Sequence, residues 1–193
     1  MKIIFATNNK NKVEEIKHLS HQKFQIFTLQ EVGIDIDIPE PHDTLEANAT
    51  EKSSTIYKLT NEAVFSEDTG LEVHALGGAP GVKSARYAGE GRNMQDNIDK
   101  LLAELKDKPS RTAQFRTVVS LIIEGKEYQF EGICKGHITH EMDGSNGFGY
   151  DPVFIPEGSN TTFANMDIAE KNKFSHRKKA VQKLIDFLNA YQA

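Results

Sequence analysis

The sequence predicts an α/β fold, and three segments at its start indicate it. The apolar run over residues 2–6, followed at once by polar residues, predicts a buried first strand. A helix is predicted from Asn11, which is spaced from Glu14 as in a capping box. The apolar residues on one face of this helix are Val13, Ile16 and Leu19. The segment Phe24–Leu29 predicts a second strand, and a strand–helix–strand opening is typical of α/β proteins.

A second helix is predicted from Asp43 to about Leu59. Its inward-facing apolar residues are predicted to be Leu45, Ile56 and Leu59. Asn48 and Lys52 follow Leu45 by three and seven positions, so they share its inward stripe. Polar side chains on a buried face need partners, and we therefore expect both residues to have specific contacts.

The remaining segments continue the α/β pattern. Three strands are predicted at 63–66, 111–123 and 127–139, the last two joined by a hairpin turn at Gly125-Lys126. A helix is predicted over 93–106, before Pro109, and a final helix from Ser175. Glu67–Gly70 is predicted as a loop after the strand at 63–66, and a Gly/Pro-rich loop follows at 77–81. We expect residues 1–193 to form a single domain.

Composition excludes several classes of protein. The chain has 193 residues, of which 38% are hydrophobic and 26% charged, with a net charge of −5. An acidic balance argues against a nucleic-acid-binding or anionic-membrane-binding role. Cys134 is the one cysteine and lies in an alternating apolar stretch, so a buried structural thiol is expected. With no signal peptide and no membrane-length apolar run, a cytoplasmic protein without a membrane partner is predicted.

The turn between the first strand and helix is a candidate phosphate site. Thr7, Asn9 and Lys12 supply a hydroxyl, an amide and an ammonium beside a helix N-terminus, and each of these groups favours anions. The glycines and the Gly-Lys-Ser/Thr ending of a Walker A loop are absent. The alternative is a polar turn with an asparagine cap.

Carboxylates form a second candidate group. Glu40 follows Ile38-Pro39, and Glu67-Asp68 follow the predicted strand at 63–66. Magnesium takes one or two carboxylates together with waters and substrate phosphates, so acids near a phosphate-binding turn suit such a site. The alternatives are acids on a surface loop and an Asx-type turn at Asp68–Gly70.

Two further motifs suit recognition of a nucleotide base. In Gly147–Pro152, glycines flank Phe148 and would leave its ring accessible for stacking. In Ser175–Arg177, Ser175 is a good N-cap, whereas two cations in the first turn oppose the helix dipole and favour an anionic or carbonyl partner. The alternatives are a turn entering a strand with a core phenylalanine, and a solvated basic turn.

The order of these elements closely resembles the inosine/xanthosine triphosphate pyrophosphatase family over nearly the whole chain. The matching elements are Thr7-x-Asn9-x-x-Lys12, Glu40, Lys52, Ser66–Leu71, Gly77–Gly81, Ser84–Tyr87, Gly147–Pro152 and Ser175–Arg177. The resemblance implies an elongated α/β fold with two lobes around a long twisted mixed β-sheet and an active site in the cleft between the lobes. It also implies a homodimer and a Mg²⁺ cofactor.

The resemblance further implies a function. Such enzymes hydrolyse ITP, dITP and XTP at the α–β phosphoanhydride, which releases a monophosphate and pyrophosphate and cleanses the nucleotide pool. Asp68 would be catalytic, and Glu40 and Asp68 would bind Mg²⁺. The residues implied to bind substrate are Thr7, Asn9, Lys12, Lys52, Phe148, Gly149, Tyr150, Asp151, Lys171, Ser175, His176 and Arg177. The alternatives are a non-catalytic nucleotide-binding module and a related pyrophosphatase for modified pyrimidine nucleotides.

Overall fold

The computed structural model describes residues 1–17 and 24–191, which form an α/β fold as predicted. The helices are α1 (Lys10–Lys17), α2 (Leu45–Thr60), α3 (Met94–Glu104), α4 (Ile168–Phe174) and α5 (His176–Ala190). The strands are β1 (Lys2–Phe5), β2 (Gln25–Thr28), β3 (Val64–Val73), β4 (Pro80–Gly81), β5 (Thr112–Ile123), β6 (Lys126–Ile138) and β7 (Phe154–Pro156). Leu19, predicted to lie on the inner face of the first helix, is outside the described residues.

The described strands form one mixed sheet, which confirms the prediction of a mixed sheet. Its order is β2-β1-β3-β5-β6-β7, and β4 pairs with β3 off this path. β1 is parallel to both β2 and β3, with Ile4 opposite Phe27 and Val64. β4 is antiparallel to β3, and β7 is antiparallel to β6.

The chain forms two compact units, each built from separated segments. Unit 1 comprises residues 1–68, 117–132 and 177–193, and unit 2 comprises residues 69–116 and 133–176. Strands β3, β5 and β6 each contribute residues to both units. Helices α1 and α2 and, from Arg177 onward, α5 belong to unit 1, whereas α3, α4 and His176 belong to unit 2.

Unit 1 has a hydrophobic cluster on each face of its strands. On β1 the side chains of Ile3 and Phe5 enter one cluster and that of Ile4 enters the other, because neighbouring strand residues point to opposite faces. The rings of Phe5 and Phe65 stack with their centroids 4.5 Å apart. The first cluster also contains residues of α1 and α5, and the second contains residues of α2. Both faces of these strands are therefore covered.

Unit 2 is packed around three phenylalanine rings. The rings of Phe115 and Phe154 lie 4.7 Å apart, and those of Phe154 and Phe163 lie 5.2 Å apart. Ile98 and Leu101 of α3 are buried in the same cluster, as their helical spacing predicts. Cys134 is buried there too, which confirms the prediction for the single thiol.

Glu67 and Asp68 do not lie on a loop, and this is the main correction to the predicted elements. β3 runs without interruption from Val64 to Val73, so both acids lie in the middle of a strand. The turn residues Asp68-Thr-Gly70 suggested a break, but pairing along the strand overrides that local preference. Position 70 has no room for a side chain, because a Cβ there would lie 2.6 Å from the carbonyl oxygen of Gly81 on β4.

Smaller corrections concern helix ends and one turn. Helix α1 begins at Lys10 and its cap is Asn9 rather than Asn11, since the Asn9 side chain accepts hydrogen bonds from the backbone N–H groups at 11 and 12. The β5–β6 turn lies at Glu124-Gly125, where both residues have positive φ, one position earlier than predicted. Helix α4 was not predicted; its seven residues are too few to show a clear apolar period.

Leu59 was wrongly predicted to face inward. It is 63% exposed, whereas Leu45 and Ile56 of the same helix are fully buried. In the last turn of α2 it is Tyr57 that packs against the hydrophobic cluster containing Ile56. No helix within the described ranges is long and apolar enough to cross a membrane.

The close approach of β4 to Gly70 gives a test of the strand assignment. Gly70→Ala is expected to lower the free energy of unfolding by about 1–3 kcal/mol, the usual cost of overpacking, because the added methyl meets the backbone of Gly81. Gly91→Ala is the matched control, since a Cβ there meets no atom within 4 Å. Urea unfolding of both variants measures the effect. Equal free energies of unfolding would contradict the packing of β4 on β3.

Candidate active site

Lys52 brings the two carboxylates predicted to bind metal to one point in unit 1. Its ammonium lies on α2 and donates to Glu40 Oε1 at 2.7 Å and to Asp68 Oδ1 at 3.0 Å. Lys52 and Asp68 are buried, and Glu40 is half-buried on the segment before α2. The sequence placed these residues 12 and 16 positions from Lys52, and the fold joins them into one charged group.

Asn48 fixes the segment that precedes α2. Its side-chain oxygen accepts a hydrogen bond from the backbone N–H of His42 at 2.9 Å, and its amide nitrogen donates to the carbonyl of His42 at 3.0 Å. Asn48 is fully buried. The expectation that the polar residues on the inner stripe of α2 have specific partners is therefore confirmed for both Asn48 and Lys52.

Burial shifts the proton affinities of this group. Burial raises the pKa of Asp68 above its ordinary value, and the nearby ammonium groups of Lys52 and Lys12 only partly offset that rise. For Lys52, burial alone would lower the pKa, but the carboxylates of Asp68 and Glu40 outweigh it and raise the pKa. A carboxylate with a raised pKa is a stronger base than one in water, which suits Asp68 to accept a proton.

The turn before α1 is shaped by its own side chains. Thr7 Oγ1 accepts a hydrogen bond from the backbone N–H of Asn9 at 3.2 Å, and Asn9 caps the helix. The asparagine-cap interpretation of this turn is confirmed, and it is compatible with anion binding because a capped N-terminus retains further backbone N–H groups. The Lys12 ammonium pairs with Glu67 Oε1 at 2.8 Å.

Arg177 is buried in unit 1 against carboxylates. Its Nε lies 3.3 Å from Glu67 Oε1, and its guanidinium donates to Glu15. The side chain is 97% buried, yet the charges of Glu67 and Glu15 outweigh burial and raise its pKa. Recognition of a base by Arg177 stays a prediction, and its ion pairs give the residue a structural role as well.

In unit 2, Asp151 organises the Phe148 turn. Its Oδ2 accepts hydrogen bonds from the backbone N–H of Phe148 at 2.9 Å and from the Lys171 ammonium at 2.7 Å. Lys171 Nζ lies 5.3 Å from the centre of the Phe148 ring, within cation–π distance. Gly147 has a positive φ, and a Cβ there would lie 2.1 Å from Asp151 Oδ2. Residues far apart in the sequence therefore form one compact group.

Tyr150, Ser175 and His176 are anchored within the same unit. The Tyr150 hydroxyl donates to the carbonyl of Ser84 at 2.8 Å, so this buried side chain fixes the turn at 84–86. The His176 ring stacks on Phe115 with centroids 4.7 Å apart and planes 15° apart. The Ser175 backbone N–H donates to the carbonyl of Lys171, so Ser175 is the C-terminal cap of α4, immediately before α5.

Comparison with known proteins decides the family. The model of the Ham1 family matches residues 3–187. The chain belongs to the Ham1 family. It is 50% identical over 190 residues to a dITP/XTP pyrophosphatase of Flavobacterium johnsoniae, covering 98% of this chain and 99% of the relative. It is 51% identical over 188 residues to a dITP/XTP pyrophosphatase of Porphyromonas gingivalis, covering 97% of each chain.

Solved structures agree with this assignment. The Ham1 protein of Staphylococcus aureus superposes with a TM-score of 0.91 at 37% identity, covering 100% of both chains. A structure from Mycobacterium abscessus, described as a nucleoside-triphosphatase and dITP/XTP pyrophosphatase, has a TM-score of 0.79 at 37% identity. It covers 96% of this chain and 99% of that one. The α/β fold expected from the resemblance is therefore confirmed.

The residues predicted from this family's motifs fall into two groups, one in each unit. Unit 1 contains Thr7, Asn9, Lys12, Glu40, Lys52, Asp68 and Arg177. Unit 2 contains Phe148, Gly149, Tyr150, Asp151, Lys171, Ser175 and His176. Their roles in binding and catalysis stay predictions, and the geometry shows which side chains within each group contact one another.

The sequence did not predict the ion pairs made by two carboxylates, Glu67 and Glu15. Glu67 was considered only as an acid beside Asp68, and its position within a buried strand would have indicated a need for a cation. Glu15 gave no signal, because its partner Arg177 is 162 positions away. Contacts over such separations depend on the completed fold.

The Asn48 contacts predict a stability effect. Asn48→Ala is expected to lower the free energy of unfolding by about 1–3 kcal/mol, because it leaves the backbone N–H and C=O of His42 without these bonds. Lys58→Ala, at an exposed position of the same helix, is the control. Urea unfolding measures both. An Asn48 variant as stable as the Lys58 variant would show that the His42 segment does not depend on Asn48.

Proposed function

We propose that this chain hydrolyses the deaminated purine nucleotides ITP, dITP and XTP to the nucleoside monophosphate and pyrophosphate. The supporting observation is the group Lys52–Glu40–Asp68, in which a buried acid of raised pKa lies beside a cation. It occurs in a Ham1 chain half identical to proteins named dITP/XTP pyrophosphatase. Cleansing of the nucleotide pool is the corresponding role.

The residues of unit 1 are proposed to bind the triphosphate. Thr7, Asn9 and Lys12 lie at the start of α1, where backbone N–H groups and the helix dipole favour phosphate oxygens. Lys52 adds a second ammonium. Charge neutralisation and positioning are the main contributions that proteins make to phosphoryl transfer.

Glu40 and Asp68 are proposed to bind Mg²⁺. Their carboxylates contact the same ammonium and therefore lie close together. Mg²⁺ usually binds one or two carboxylates together with waters and nucleotide phosphates. When bound, the ion neutralises charge on the phosphate oxygens. No larger cluster of His, Cys, Asp or Glu able to bind a metal occurs among residues 1–17 and 24–191.

Asp68 is proposed to orient the attacking water and accept its proton. The water oxygen bonds to the α-phosphorus as the bond from that phosphorus to the bridging oxygen breaks, and pyrophosphate leaves. Burial raises the pKa of Asp68 and so favours proton uptake by its carboxylate, whereas a Mg²⁺ ion bound to the same carboxylate would lower that pKa. Lys52, which donates to the same side chain, orients the carboxylate.

The residues of unit 2 are proposed to recognise the base, and on the family resemblance the same role is proposed for Arg177. Phe148 would stack on the purine, and its backbone is fixed by Asp151. Hypoxanthine and xanthine have a carbonyl at the purine 6-position, which accepts hydrogen bonds from donors such as His176 and Arg177. Adenine has an amino group there and would leave these donors unpaired, which disfavours ATP. Gly149, Tyr150, Lys171 and Ser175 complete the proposed base-binding set.

Mg²⁺ dependence, homodimer formation and a cytoplasmic location are proposed on the family resemblance. Mass measurement in solution tests the dimer, and fractionation of the source cells tests the location. A nucleic-acid or membrane partner is not proposed, given the net charge of −5.

The function is tested with a panel of ITP, dITP, XTP, GTP, ATP and dTTP, assayed for pyrophosphate and orthophosphate separately. Pyrophosphate is expected from the first three, with Mg²⁺ present, and not after EDTA treatment. Release of orthophosphate alone would assign a different bond. Nucleotide binding without turnover would favour a non-catalytic module, and preference for modified pyrimidine nucleotides would favour the related pyrophosphatase. Turnover that survives EDTA would remove the metal from the mechanism.

Asp68→Asn tests the catalytic assignment. We expect kcat to fall by about 10²–10⁴-fold, the usual contribution of a general base, while nucleotide affinity measured by calorimetry is largely retained. Asp35→Asn makes the same chemical change at an exposed position of unit 1 and is the matched control. Near-normal kcat in the Asp68 variant would exclude this residue from the chemistry.

A further inference from the structure

Glu67 is a buried carboxylate that contacts two cations. It lies in the middle of β3 and is 1% exposed. Its Oε1 atom lies 2.8 Å from Lys12 Nζ and 3.3 Å from Arg177 Nε. Arg177 also pairs with Glu15 of α1. All four residues belong to unit 1, so this charge cluster is defined within one compact body.

The cluster contains two positive and two negative side chains. A buried charge is tolerated only when it is paired, and here each cation contacts at least one carboxylate. Glu67 has a central position, because one of its oxygens lies close to both cations. Removal of its charge would break the ion pair of Lys12 and one ion pair of Arg177.

The Lys12 ammonium is the group that this arrangement fixes. A lysine side chain is long, and it loses rotamer entropy when it is immobilised. The Lys12 side chain is only 14% exposed and ends on Glu67, so its position is determined before any ligand binds. An ammonium has three N–H donors, so Lys12 can donate to phosphate oxygens while it is paired with Glu67.

We propose that Glu67 is a positioning residue for phosphate binding, which orients the Lys12 ammonium and links it to Arg177. This inference rests on the proposed role of Lys12 in binding the triphosphate. Glu67 is not assigned a contact with the substrate, and its effect passes through Lys12. The carboxylate brings an adverse negative charge close to a phosphate site, but the two cations on it neutralise that charge locally.

A double-mutant cycle on pyrophosphate binding tests the proposal. Pyrophosphate affinity is measured by calorimetry, with Mg²⁺, for the wild type, Glu67→Gln, Lys12→Met and the double variant. Glu67→Gln is expected to weaken binding by roughly five- to tenfold, as when one preorganised charged side chain becomes mobile. In the Lys12→Met background the same change is expected to have little further effect. An equal loss in both backgrounds, or no loss in either, would overturn the proposal.

Controls separate positioning from stability. Glu15→Gln also removes a carboxylate from Arg177, and we expect it to lower the urea midpoint while changing pyrophosphate affinity less than Glu67→Gln does. Glu67→Asp retains the charge on a shorter side chain, and we expect an affinity between those of wild type and Glu67→Gln. If Glu67→Gln does not fold, the cycle is run with Glu67→Asp. Equal pyrophosphate affinity of Glu67→Asp and wild type, together with equal affinity of the double variant and Lys12→Met, would overturn the proposal.

The same experiment separates this inference from the proposed function. If the wild type releases no pyrophosphate from dITP, the proposed function fails whatever the cycle shows. If Lys12→Met binds pyrophosphate as well as the wild type does, the phosphate role of Lys12 fails, and the positioning role of Glu67 fails with it. If Lys12→Met weakens binding and Glu67→Gln does not, only the positioning role fails.

Discussion

Two consecutive buried carboxylates on β3 constrain the rest of unit 1. Neighbouring strand residues point to opposite faces, so Glu67 and Asp68 each require a cation on a different side of the strand. Lys52 of α2 meets Asp68, whereas Lys12 and Arg177 meet Glu67. The apolar residues of β3 follow the same alternation, with Phe65 packed on one side and Val64 on the other. The placement of three helices therefore satisfies two carboxylates as well as two hydrophobic clusters.

The side chains that pair with the buried carboxylates in the fold are also those proposed to act in binding and catalysis. The Lys52 ammonium stabilises buried Asp68 and also lies where the carboxylates of Glu40 and Asp68 meet. A bound nucleotide would therefore find its cations already immobilised, and little further ordering would be needed at that step. The raised pKa of Asp68 follows from the same burial that organises the group. Preorganised charge of this kind is the usual source of electrostatic catalysis.

Sequence patterns predicted the helices and strands that follow from local apolar spacing. They did not predict features that depend on contacts between residues far apart in the sequence. Helix α2, the buried state of Asn48 and Lys52, and the long strands β5 and β6 follow from apolar spacing and were predicted nearly to their ends. The continuity of β3 was missed, because Asp68–Gly70 resemble a turn locally, whereas β3 lies inside the sheet between β1 and β5 and continues to its pairing with β4 at Leu71 and Glu72. Family motifs located the candidate site residues, but the contact of Arg177 with Glu15 could emerge only from the folded chain.

Buried ion pairs stabilise a fold poorly, because each charge loses its hydration. The Glu67 cluster therefore calls for an explanation other than stability. Replacement of such pairs by well-packed apolar side chains is often neutral or stabilising. A chain under selection for stability alone would gain nothing from burying Lys12, Glu67 and Arg177 together. The cluster becomes advantageous when a lysine must remain charged, fixed and able to donate to an anionic ligand. The desolvation free energy of the buried Glu67 carboxylate is thus better explained by a role in ligand binding than by a role in folding.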